Sequence, residues 1–433
     1  MRIFLVCLLK LITGLPGRLY RWALGSVITY AANLLTLLTF KKAALRLHSA
    51  AIRLAPACWR RYYHRAEFLF LHQDCMVEAL EDVEVAFSLT KKNPNLYKLR
   101  AVIYMALGEH AKAMDDFTEL NRTWPGRCEM RYLRGLCLQL LGRPVSALTD
   151  FEADLGRNPV SLDSLQGKAE CLLSDDRFKE AAETAAWGLK LKPDHEELLT
   201  AAVRAHLGLG KAGEALQFAN RLIPASNCAA YAYNLRANAL EARDETERAL
   251  KDREQAVKLD PKSPAYWNQL GILYGKVDKP KAAVKCLNKA IKLDPDVAAL
   301  HLNRGMALEE EGDLIGALAD YDAAVRMDDR DPDNYYFRAR ALLEFDRPDD
   351  SERDLDLAIK LTDQDPHCFF LRGKVYEKKK ELAKAIQDYT RAIDLDPKCA
   401  PAYERRGAVY FDLGDKERAR ADSTKARQLE GKK

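Results

Sequence analysis

Few stretches of this chain hold residues whose types and spacing could do covalent chemistry. The nearest to a phosphate cradle is Gly208-Leu209-Gly210-Lys211, too short for the Gly-x-x-x-x-Gly-Lys spacing in which backbone N–H groups surround a phosphate. It reads as a turn. No Gly-x-Ser-x-Gly elbow and no His-Glu-x-x-His helix occurs, so neither an activated serine nor a helical zinc site is written into the chain. The eight histidines are scattered, and acidic runs such as Glu309 to Glu311 and Asp328 to Asp333 read as solvated helix ends and loops. Ten cysteines include no Cys-x-x-Cys pair and no cluster at metal-ligand spacing. They read as small buried apolar residues of a reducing compartment such as the cytoplasm. The expectation is a protein with no enzymatic activity, no metal and no cofactor.

Cys137 and Cys171 lie 34 residues apart, and that interval governs the whole chain. In the stretch Pro366 to Cys399, numbered from Pro366 as position 1, the landmarks are Phe369 (4), Arg372 (7), Gly373 (8), Tyr376 (11), Ala385 (20), Tyr389 (24), Ala392 (27) and Pro397 (32). Apolar residues recur at intervals of three and four on either side of a break, the signature of two amphipathic helices. Gly373 and Ala385 lack bulk where the two helices must come close, and Pro397 ends the second. Units in the same register begin at 60, 94, 128, 162, 196, 230, 264, 298, 332, 366 and 400. The period predicts an array over 60–433 after an N-terminal segment, 1–59, of different character.

This pattern resembles that of tetratricopeptide repeat (TPR) proteins, in which a bulky residue, Leu-Gly, Tyr, Ala, Phe and Pro stand at fixed offsets. The resemblance implies an all-α fold: a right-handed α-solenoid of about eleven 34-residue helix-turn-helix repeats, each touching its neighbours. It also implies a function by binding, with the first helix of each unit (helix A) lining a concave groove. That expectation is a scaffold for protein partners.

Groove positions in three consecutive units gather side-chain amides: Asn234 and Asn238, then Asn268 and Gln269, then Asn303. Amides both donate and accept, so they suit the backbone of an extended peptide. Further along come Tyr336, Phe337, Arg340, Phe370 and Lys374, edged by Glu309, Glu310, Glu344 and Glu377, which suits an apolar anchor with mixed polar flanks. Some members of the family clamp the C-terminal carboxylates of chaperone tails. The best frame here, Asn234, Asn238, Gln269, Ala299 and Asn303, holds no cation, which argues against such a clamp. Helical-repeat RNA readers have a longer period and a basic inner face, so no nucleic-acid partner is expected.

Charge is uneven. The first 66 residues carry eleven Lys or Arg and no Asp or Glu, a charge of +11 against −7 for the remainder. Within them Trp22 to Phe40 runs 19 residues without a charge between basic flanks, just enough helix to span a bilayer core. A membrane contact through 22–40 would give a membrane-anchored receptor or assembly factor, similar in layout to mitochondrial import receptors. The same stretch also reads as helix A of a degenerate first repeat, because Ala44, Ala51, Ile52 and Pro56 look like the end of a helix B. An Arg-rich start free of acids suits a cleaved transit peptide as well.

Overall fold

The computed structural model describes residues 41–72, 75–90, 93–124 and 129–431, together with Ile28, Thr29 and Ala32. Among the described residues every regular element is an α-helix. Lys41–Leu54 comes first, and eleven antiparallel pairs follow, from Trp59–His72 with Met76–Leu89 to Ala400–Asp412 with Lys416–Leu429. Helix A begins at position 1 of its unit at Pro94, Leu162, Glu196, Pro264, Ala298, Pro332, Pro366 and Ala400.

Local chemistry sets these boundaries. Proline opens several helices at a position whose N–H has no intrahelical partner, and Asn93, Asp331 and Asp365 cap the helix starts with side-chain acceptors. The turn from helix A to helix B passes through a left-handed residue at position 15 in ten successive units: Gly108, Gly142, Asp176, Gly210, Asp244, Asp278, Gly312, Asp346, Lys380 and Gly414. Glycine and aspartate tolerate that conformation, whereas the Cβ of Lys380 meets its full steric cost. Gly210 is thus a turn, as its spacing suggests. Gly213 extends this stretch to Gly-x-Gly-x-x-Gly, the interval of a dinucleotide-binding turn. The helix Glu196–Gly208 stands before it, where that site needs a strand, so the interval is coincidental. Helix B stops two residues before the closing proline at Leu259, Leu293 and Leu395, with Asp294 and Asp396 already extended.

Within each pair, position 8 faces position 24. A Cβ added to Gly373 would stand 2.5 Å from the Tyr389 ring, and one on Gly305 2.5 Å from that of Tyr321. Gly271 meets Leu287 in the same way at 2.8 Å. The residue at position 20 is sealed in the interior, as Ala113, Ala283 and Ala385 show.

The expected single array is divided into two compact units, Met1–Ala225 and Ser226–Lys433. The division follows Pro224, which stands inside the last turn of Ala212–Ala225, three residues before the position where proline closes other repeats. The segment 22–40 proposed as a membrane contact lies outside the described residues, apart from Ile28, Thr29 and Ala32. Among the described residues no helix is long and apolar enough to cross a membrane. Lys41–Leu54 buries Ala44, His48, Ala51 and Ile52.

Candidate functional site

One layer from the glycine–aromatic contacts runs a column of ion pairs. Arg65–Asp82, Arg100–Asp116, Arg134–Asp150, Arg236–Asp252, Arg304–Asp320, Arg338–Asp354, Arg372–Asp388 and Arg406–Asp422 each join helix A to helix B. In every pair Nε and Nη2 donate to the two carboxylate oxygens at 2.5–2.9 Å, a bidentate fork. The aspartates are buried. The remaining Nη1 often reaches the preceding repeat, from Arg372 to Asp356 at 2.7 Å and from Arg304 to Asn288 at 2.6 Å. These arginines are spent on structure. The unit from Pro264 replaces the pair with buried Leu270 and Cys286.

The predicted amide cluster is organised by a residue that sequence reasoning missed. Arg253 occupies position 24, where Phe117, Phe151, Tyr321 and Tyr389 stand in other units, and it is buried. Its Nη1 donates to the Oδ1 of Asn234 and the Oε1 of Gln269. Nη2 donates to the Oδ1 of Asn238 at 2.7 Å and to Glu241 at 2.6 Å, and Nε reaches Glu241 at 3.2 Å. Every N–H of the guanidinium is satisfied. Glu241 also receives exposed Lys276 at 3.4 Å. Asn234, Asn238 and Gln269 are therefore gathered as expected, but their oxygens are already engaged from within. An arginine breaking an aromatic column, with amides at positions 5 and 9 of its own helix A, was the available signal.

Asn268 and Asn303 form a second contact, the Nδ2 of Asn303 donating to Asn268 at 2.9 Å. Beside it, Gly271, Ile272, Gly275, Leu287, Asn303 and Met306 line a cavity of about 210 Å³, with Lys276 and Glu310 at its edge. Two glycines one turn apart leave the notch, and Ile272 remains 37% exposed at it. A Cβ on Gly275 would meet only Glu310, at 3.6 Å, so the notch has room for a side chain.

Tyr336 and Arg340 belong to a separate cluster. Arg340 donates to Glu309 at 2.9 Å and lies 4.7 Å above the Phe337 ring; Tyr321 donates to the same Glu309 at 2.7 Å. Burial draws the Arg340 guanidinium down, and the Glu309 hydrogen bond and charge more than offset it. Burial, then the Glu309 bond, pushes the Tyr321 phenol up. Phe337 packs against the core around Tyr321 of the preceding repeat and Phe370 against that around Tyr389 of its own, so both expected groove aromatics are half-buried in packing contacts. Lys374 is half-buried and forms no ion pair among the described residues, and the structure does not join it to the amides.

Stacked antiparallel helix pairs, locked by glycine–aromatic contacts and arginine forks and bearing polar groups on the A-helix face, define an α-solenoid repeat module. Residues 268–335 and 310–367 match a family described as tetratricopeptide repeat, 373–414 one described as TPR repeat, and 400–431 another described as tetratricopeptide repeat. Residues 268–367 and 373–431 therefore carry tetratricopeptide repeats. Tetratricopeptide repeat protein 28 of Homo sapiens is 30% identical over 121 residues, 27% of this chain, as is its Mus musculus counterpart. That stretch spans 5% of the length of either relative. Among solved structures, the APC/C hetero-tetramer Cut9-Hcn1 gives a TM-score of 0.49 at 13% identity, covering 94% of each chain. Yeast Tom70 gives 0.45 at 15% identity, covering 86% of this chain and 92% of its own.

Proposed function

We propose that this chain is a non-catalytic scaffold that holds an extended segment of a partner protein on the A-helix face of the unit Ser226–Lys433, from Asn234 to Glu310. A fold of this class implies protein partners. The observation carrying the reading is the juxtaposition of an open apolar notch at Gly271, Gly275 and Met306 with the amide groups of Asn238, Gln269 and Asn303. A side chain seated in the notch would bury apolar area, while the amides meet the polar backbone beside it. The arginine forks supply the rigidity that keeps neighbouring helices A at a fixed spacing. A photoreactive phenylalanine analogue placed at Ile272 in the full chain tests the site in cells. It should form a discrete protein adduct that the same group at Lys285, exposed on helix B, does not form. Identical adducts from both positions would remove the site from this face.

A further inference from the structure

The geometry points to Arg253 as a positioning residue that makes the amide cluster a donor-only surface, so that the bound segment must present hydrogen-bond acceptors there; this rests on the groove reading above. A guanidinium has five N–H donors and no acceptor, so an amide beside it can approach only through its oxygen. Asn234, Asn238 and Gln269 all direct their oxygens at Arg253. Their amino groups are left facing away, and among the described residues no partner takes them. An isolated asparagine flips to suit whatever arrives, offering oxygen to a donor or nitrogen to an acceptor. These three are held in one sense, because a flip would set an amino group against a buried cation and strip that cation of an acceptor.

The surroundings agree. Asn303 spends one N–H on Asn268, which fixes its amide as well, and Lys276 adds an exposed cation beside Glu241. The acceptors that fit are main-chain carbonyl oxygens or side-chain carboxylates of an extended polypeptide. A segment that brings lysine, arginine or glutamine amino groups to the same points meets N–H against N–H. Arg253 occurs at position 24 of one unit alone among the described repeats, so this polarity is confined to the surface between Asn234 and Gln269.

The test inverts the polarity while keeping the buried network. In Asn238→Asp and Gln269→Glu one carboxylate oxygen still accepts from Arg253, and the other replaces the outward amino group. Thermal unfolding within a few degrees of wild type would mark an intact fold. The probe is a displayed library of random dodecapeptides selected on the full-length protein, with fluorescence polarisation of the enriched sequences. Peptides that bind wild type should lose at least tenfold in affinity for each variant. Replacing their Asp and Glu by Asn and Gln then tells the two acceptor sources apart. A comparable loss assigns carboxylates, and retained affinity assigns main-chain carbonyls; either outcome supports the inference. Gly275→Leu, which fills the neighbouring notch without touching Arg253, separates the two levels of the argument. If Gly275→Leu weakens binding while both carboxylate variants leave it unchanged, the donor-only reading falls and the groove stands. If none of the three variants matters, or if selection yields lysine- and arginine-rich peptides or nothing, the inference is overturned, and in the insensitive or empty case the groove falls with it.

Discussion

Replacing Arg372 by leucine isolates the contribution of one arginine fork. Asp388 is 6% exposed and accepts from Arg372 at 2.7 Å and 2.9 Å. Arg372→Leu leaves that carboxylate buried without its cation, and breaking a buried pair from one side costs roughly 3–5 kcal/mol. Asp388→Ala falls lower, about 3 kcal/mol, because Arg372 keeps Asp356 at 2.7 Å and has more access to water. The double variant Arg372→Leu/Asp388→Cys reproduces the residues found at 270 and 286, where the chain already dispenses with the fork. With no charge left unpaired, it should recover about 2 kcal/mol or more relative to Arg372→Leu. Hydrogen exchange read by mass spectrometry over Pro366–Lys378 and Leu382–Leu395 measures this locally, which matters because a repeat array need not unfold in one step. A cost below about 1 kcal/mol for Arg372→Leu, or a double variant no better than the single one, would refute the reasoning.

Lys380 holds the left-handed turn position without an ion pair among the described residues, so Lys380→Gly should stabilise the last repeats by about 0.5–1 kcal/mol in urea melts. Gly373→Ala drives a methyl into the Tyr389 ring and should cost roughly 1–3 kcal/mol, with the effect concentrated in the exchange of Leu382–Leu395. His48 is buried against Phe68 with neither ring nitrogen bonded among the described residues. Burial first, then His64 and Arg65, lowers its pKa from 6.5 to about 4. The unfolded chain therefore takes up a proton that the folded chain refuses. Stability is full above pH 6.5 and falls as the pH drops toward 4. The loss approaches about 3 kcal/mol, and His48→Phe should flatten the pH dependence of exchange in Lys41–Leu54.

The fold was legible because its signals are local and repeated. Gly373, Ala385 and Pro397 recur at fixed intervals, and each has a steric reason that no distant residue changes. The arginine forks were half visible: Arg372 stood out as a landmark, but Asp388 looks like any helix-surface acid until the B helix is docked. The amide cluster was found by counting groove positions. Its meaning was not, because Arg253 lies on the other helix of the pair and reaches the groove through the repeat. Phe337 and Phe370 misled for a related reason. A large ring on helix A can face the groove or turn into the packing, and the contacts of Phe337 with Tyr321 of the preceding repeat and of Phe370 with Tyr389 of its own show the second. The division after Ala225 hangs on a displaced proline, a weak mark in a pattern that otherwise continues.

The central claim is that a partner lies across the notch between helices Pro264–Lys276 and Ala298–Glu311. Calorimetry of the protein captured from Ile272 tests it most directly, titrated against full-length wild type and Gly275→Leu. Because a Cβ on Gly275 meets only Glu310, in ordinary contact at 3.6 Å, leucine can enter the cavity of about 210 Å³ without straining the fold. The account predicts affinity at least tenfold weaker with unchanged thermal unfolding. Equal affinity for the two proteins would contradict it.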